Sequence, residues 1–115
     1  TYYWTNGDKY VGQWANDLKN DEGKEYYSDG GRFEGHFTDG KRNGQGTYYY
    51  PKGRYSTKDS GTWKMGVRHG HFTEYTTKGW NSGSYVEGKK DGRWSCYHDG
   101  EYLPDDRYRN GKHLW

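Results

Sequence analysis

Aliphatic residues are scarce in this chain of 115 residues: Leu18, Leu103, Leu114, Val11, Val67 and Val86 occur without a single isoleucine, and Met65 is the one methionine. A globular interior built of aliphatic layers cannot be filled from so little. Cysteine is nearly missing as well, and Cys96 alone excludes an intrachain disulfide and favours a reducing, cytoplasmic compartment. No apolar run approaches the ~20 residues that a membrane-spanning helix needs, and no signal-peptide core occurs. Nor does any stretch of about ten residues keep a helical period free of glycine, so no substantial helix is expected. The net charge of +2 is too small to mark a nucleic-acid binder.

What is present is aromatic. Only 28% of the chain is hydrophobic and 30% is charged, a balance that suits disorder, yet 20% is Phe, Trp or Tyr, and disordered chains are poor in rings. The rings must therefore serve as the core. They recur in order: Gly7, Tyr10, Gly12 and Trp14 reappear 23 places on as Gly30, Phe33, Gly35 and Phe37, and Gly61 with Trp63 continue the frame after an insertion around Ser56 to Ser60. Gly79, Gly83 and Tyr85 follow, then Gly100, Tyr102 and Tyr108, while Gly40, Gly66, Gly88 and Gly111 mark one turn in four successive copies. A fixed period of this length signals a repeat architecture.

Within each copy the aromatics alternate, as at Tyr10, Gly12 and Trp14, and at Tyr48 and Tyr50, which is the period of a strand with one aromatic face. Asn6-Gly7 and Asp29-Gly30 predict tight hairpins with positive φ at both central residues. The glycine between two rings leaves bare backbone on which a ring from a neighbouring strand can lie. Two strands per copy, spaced ~4.8 Å apart, predict a twisted antiparallel ribbon of about ten strands, roughly 45 to 50 Å long.

The segments Tyr10-Val-Gly12-Gln-Trp14 and Gly44-Gln-Gly46-Thr-Tyr48-Tyr-Tyr50-Pro-Lys-Gly53 resemble the MORN repeat, and the likeness runs through essentially the whole chain. About five copies are expected, near 1–22, 23–45, 46–70, 71–92 and 93–115, forming one all-β, elongated single-sheet domain within a longer protein. From Gly70 onward the triplet weakens to Gly83-Ser-Tyr85 and resembles the looser bacterial variant of the repeat. The resemblance implies protein scaffolding or phosphoinositide binding, and in some relatives such repeats accompany methyltransferase or lipid-kinase domains.

Three uses of the surface follow. Rings left over from the core, drawn from Tyr10, Trp14, Phe33, Phe37, Tyr48, Tyr50, Trp63 and Tyr85, are expected to line a groove for a partner helix or peptide, with end-to-end self-association as another mode of scaffolding. Residues 52–71 carry Lys52, Arg54, Lys58, Lys64 and Arg68 against Asp59 alone, a net of +4 suited to anionic phospholipid headgroups. Residues 15–40 lean the other way, with seven acids (Asp17, Asp21, Glu22, Glu25, Asp29, Glu34 and Asp39) against Lys19, Lys24 and Arg32, a net of −4. A third is an accessory role beside an enzyme domain. The pairs His69/His71 and Cys96/His98 have two-residue spacing but none of the tight zinc patterns, so no metal, cofactor or catalytic centre is expected. Nucleic acid is not expected as a partner.

Overall fold

The computed structural model describes residues 2–114. Their strands are β1 (Tyr2–Tyr3), β2 (Lys9–Ala15), β3 (Leu18–Tyr26), β4 (Arg32–Thr38), β5 (Lys41–Tyr49), β6 (Ser56–Lys64), β7 (Val67–Thr76), β8 (Gly79–Val86), β9 (Lys89–His98), β10 (Glu101–Arg109) and β11 (Lys112–His113). All lie in one antiparallel sheet, paired strictly in chain order. The long dimension is 46 Å, within the range expected from stacking two strands per copy. Among the described residues no helix is long and apolar enough to cross a membrane.

Two kinds of turn join the strands, alternating from β2 to β7. The tight ones are Asn16-Asp17, Asp39-Gly40, Met65-Gly66, Glu87-Gly88, Asp99-Gly100 and Asn110-Gly111, each with positive φ at both residues. This twist matches that of the flanking strands. On the ring-bearing side of the chain path these turns are stitched together: Gly40, Gly66, Gly88 and Gly111 each donate an N–H to the carbonyl of Lys19, Arg42, Arg68 and Lys90, at 2.8 to 2.9 Å. Asn6-Gly7 and Asp29-Gly30 correct the sequence reading. Only their glycines have positive φ, and each belongs to a longer loop closed by Trp4 with Asp8 or by Tyr27 with Gly31. The insertion is also displaced from its expected place. Ser56–Lys64 is strand, and the extra length lies in the loop at 50–55 and in a register shift between Ser56 and Lys58.

A row of glycines crosses the sheet: Gly12 pairs with Gly23, Gly23 with Gly35, Gly35 with Gly46 and Gly46 with Gly61. Rings fill the bare strip this leaves. A Cβ on Gly23 would lie 2.1 Å from the Tyr10 hydroxyl, and one on Gly46 would lie 2.3 Å from Phe33 Cζ. In the second half the ring changes strand. Phe72 of β7 covers Gly61, and Trp94 of β9 covers Gly83, so the positions equivalent to Tyr10 and Phe33 are free to become Asp59 and Asn81. The apparent weakening near Gly83 is this exchange, since one ring and one glycine are still present in each pair.

The result is a continuous zigzag of rings, Trp14, Tyr10, Phe37, Phe33, Trp63, Phe72, Tyr85, Trp94 and Tyr108. Their centroids are 5.0 to 6.3 Å apart and their planes are inclined by 74° to 89°. Edge-on contacts of this kind add about 0.5 to 1.5 kcal/mol each beyond the burial of the rings themselves. Seven of the nine are buried, and together they form the hydrophobic core. This is an interior one ring deep, laid on one face of a single sheet.

Candidate functional site

The ladder has a second layer, made of charge. Lys19, Arg42, Arg68 and Lys90 occupy the same place in successive copies, each just after a tight turn. Lys19 lies over Trp4, Tyr10 and Phe37, Arg42 over Phe33 and Trp63, Arg68 over Trp63, Phe72 and Tyr85, and Lys90 over Trp94 and Tyr108, all within 4.2 to 5.8 Å of the ring centres. Cations over ring faces are attracted by the negative π surface. Carboxylates close the layer from beside the cations: Glu25 meets Lys19 at 2.6 Å and Arg42 at 3.7 Å, and Glu74 meets Arg68 at 3.1 Å and Lys90 at 3.4 Å.

The densest part of the layer surrounds Asp59, which is buried. Its carboxylate accepts from Arg68 at 2.5 Å and from the Tyr50 hydroxyl at 2.5 Å, while Tyr85 donates to Glu74. Burial works to lower the Arg68 pKa, but the Asp59 charge and hydrogen bond outweigh it and hold the guanidinium above its ordinary range. Burial and then the bond to Asp59 push the Tyr50 phenol up to about 12, and burial with the Glu74 bond raises Tyr85 further. Every polar group here has a partner inside the chain, so this network braces the ladder.

That geometry corrects the expected aromatic groove. Tyr10, Phe33, Phe37, Trp63 and Tyr85 are buried under the ion layer and offer no free ring surface, because no other residues are available to form the core. Tyr48 and Tyr50 are partly covered and in edge contact at 4.9 Å, and Trp14, on β2, is exposed. The basic set divides in the same way. Arg68 is tied to Asp59 and Glu74, Lys58 lies 4.9 Å over Tyr75 on the other face, and Lys52, Arg54 and Lys64 are exposed. A single patch of five cations is therefore not formed.

The rings that do remain accessible are ones the repeat frame did not single out. Side chains of adjacent residues leave a strand on opposite faces, so in Tyr48-Tyr49-Tyr50 the middle ring must turn away from the ladder. Lys9, Tyr26, Arg32, Tyr49, Lys58, Tyr75, Trp80, Tyr97 and Tyr102 pair in a row across that opposite face. The row begins as alternating cations and rings, with Lys9 over Tyr26 at 4.7 Å and Arg32 over Tyr49 at 3.8 Å. It ends in rings alone: Trp80 stacks on Tyr97 at 5.7 Å, and Tyr102, 74% exposed, closes against Tyr97 at 4.8 Å and Trp80 at 6.1 Å. The doublet Tyr26-Tyr27 and the triplet at 48–50 carried the signal for this second aromatic face.

The Cys and His pairs do not converge. His71 is paired with Ser84 and bonded to Ser82 on the face away from the ladder, whereas Cys96 shares the ladder face with Asn81 and Asp106. Burial, then the Asp106 charge, push the Cys96 thiol up, which works against a nucleophilic thiolate. His98 is engaged by Asn81 at 3.2 Å.

Comparison with curated proteins finds no match. Comparison with protein families finds the MORN repeat at residues 10–32, 33–53 and 60–71, the segments that hold the first three rounds of glycine, ring and turn. The tandem hairpins, and the glycine rows that let rings stand in for an aliphatic core, have their explanation there: the chain belongs to the MORN repeat family.

Proposed function

We propose that this ribbon is a non-catalytic protein-interaction module, and that its docking surface is the aromatic cluster of Trp80, Tyr97 and Tyr102 on the face opposite the ladder. MORN repeats are commonly protein-binding or membrane-associated modules and are generally non-enzymatic. The observation that carries the reading is the division of labour between the faces. The ladder's rings, cations and carboxylates satisfy one another, while the cluster leaves Tyr102 74% exposed with no cation over it among the described residues. Tyr and Trp in contact, ringed by polar side chains such as Thr73 and Ser82, are the composition of an interface centre. Lys9, Arg32 and Lys58 along the same row favour a partner segment that mixes apolar and acidic side chains.

The test is a peptide array probed with the intact chain and with Trp80→Ala and Tyr102→Ala. Peptides captured by the intact chain should lose about tenfold or more in affinity with either variant, the scale of an interface hot spot. Retention of full affinity by both variants would sink the assignment of the surface.

One observation supports a membrane reading as the second choice. The loop at 50–55 presents Lys52 and Arg54 beside Tyr55, which is 53% exposed, a cation and ring combination suited to an anionic lipid interface. Sedimentation with anionic vesicles should then fall with salt and disappear on Lys52→Glu with Arg54→Glu, leaving peptide capture unchanged.

A further inference from the structure

Aliphatic side chains are few in this chain, and the fold leaves them outside its core. None of the Leu, Val and Met side chains joins the buried ring cluster. Four of them, Leu18, Met65, Val67 and Val86, gather at one edge of the ribbon, beside the turns Asn16-Asp17, Met65-Gly66 and Glu87-Gly88, and are 43% to 46% exposed. The last two of these turns adjoin: the Gly88 N–H donates to the Arg68 carbonyl at 2.8 Å, and a Cβ on Gly88 would lie 3.7 Å from the Val67 Cβ. Trp63 and Tyr85 belong to the ladder, and Arg68 and Lys90 lie over it. Strand alternation therefore sends Lys64, Val67, Val86 and Lys89 to the opposite face. Lys64 pairs with Val67 and Val86 with Lys89, so two valines on neighbouring strands stand between two lysines. Both lysines are exposed, and among the described residues neither has a carboxylate partner. His69, next to Arg68 and so on the same face, accepts the Glu87 N–H on Nδ1 at 3.1 Å, which leaves the Nε2–H of its neutral ring to donate.

We propose that Lys64, Val67, Val86 and Lys89 form a docking strip for a helical segment of a partner protein, one that presents two aliphatic side chains between two carboxylates. It is a second surface, separate from the Trp80 cluster, since Trp80 begins β8 and Val86 ends it. The chemistry of the occupant follows from charge on this face alone. Two unpaired cations bracket apolar surface, and the nearest acid in sequence, Glu87, stands in the turn beyond them, so carboxylates flanking an apolar pair are the complement. Its shape follows from spacing. The strip crosses β6 to β9, three strand steps or about 15 Å, and three helical turns cover ~16 Å with one side chain per turn on the contact face. An extended peptide turns a side chain to one face every ~6.7 Å, out of step with strands ~4.8 Å apart. An anionic bilayer fits less well: approached by this edge, it would meet Asn16-Asp17, Asp39-Gly40 and Glu87-Gly88 first, each with a carboxylate.

The experiment is a titration of the intact chain, followed by NMR shifts of the Val67 and Val86 methyl groups. The probes are a helical peptide with leucine at two positions one turn apart and glutamate one turn beyond each, the same peptide with lysine in place of the glutamates, and phosphatidylserine vesicles. The glutamate peptide should bind about tenfold or more tightly than the lysine peptide, and the difference should shrink as salt rises. Lys64→Glu with Lys89→Glu should reverse the preference, and Val67→Ser with Val86→Ser should remove binding of both peptides. All four positions are exposed, and the comparison of the two peptides on the intact chain stands without either variant. Trp80→Ala should leave this binding unchanged, which keeps its failure distinct from failure of the docking cluster at Trp80, Tyr97 and Tyr102. Equal affinity for the two peptides, a preference indifferent to the lysine variants, or vesicle binding that needs Lys64 and Lys89 while neither peptide binds would each overturn the proposal.

Discussion

Gly46 shows how much depends on an absent atom. It pairs with Gly35 on one side and Gly61 on the other, and Phe33 rests on it so closely that a Cβ would fall 2.3 Å from Cζ and 2.8 Å from Cε1. Phe33 cannot retreat, since it is held edge-on by Phe37 at 5.5 Å and by Trp63 at 5.3 Å. Gly46→Ala should therefore cost about 1 to 3 kcal/mol of stability, the range of overpacked cores. Gln45→Ala, on the exposed neighbouring position, should stay within about 0.5 kcal/mol. Chemical denaturation of the two variants checks the contrast, and equal stability would show that the ring is free to move aside.

At the scale of the hairpin, ring and glycine form a pair that can be exchanged between strands. Phe33 on β4 over Gly46 on β5 becomes Gly61 on β6 beneath Phe72 on β7, with Asp59 standing where the ring had been. Asp59→Phe should crowd the site next to Phe72, and Phe72→Gly should open a void over Gly61, so each alone is destabilising. Combined, they restore the first-half arrangement, and the double variant should be less destabilised than the sum of the singles by about 1 to 3 kcal/mol. A double-mutant cycle from urea unfolding measures this. Simple additivity would show that the strands are not interchangeable. Arg68 retains Glu74 when Asp59 is removed, which keeps the buried guanidinium partnered throughout the cycle.

For the whole ribbon, stability is spread along a single file of rings and ions, and its phenols set a common alkaline limit. Tyr27, Tyr50 and Tyr85 come from different copies, and in each case burial is the main cause of the raised pKa, with a hydrogen-bonded carboxylate adding to it. A folded pKa above the unfolded value of about 10 means the protonated phenol stabilises the fold, fully below that pH and less as pH rises through the folded value. Thermal unfolding should therefore be flat near neutrality and fall between about pH 10 and 12, where Tyr50 titrates. Tyr50→Phe should reduce the steepness of that fall. No change in the alkaline slope would mean that Tyr50 does not supply it.

Much of this architecture was legible in the order of residues. The spacing from Gly12 and Trp14 to Gly35 and Phe37, with the tight turns at Gly40, Gly66, Gly88 and Gly111, suffices for strands, hairpins and a single file of copies, because strand alternation and positive-φ turns are local properties. Which rings remain free was decided only in the tertiary structure. Burial of Tyr10 or Phe33 depends on what lies across the sheet, on the register that sets Glu25 beside Lys19 and Arg42, and on the exchange that moved the ring from the place of Asp59 to Phe72.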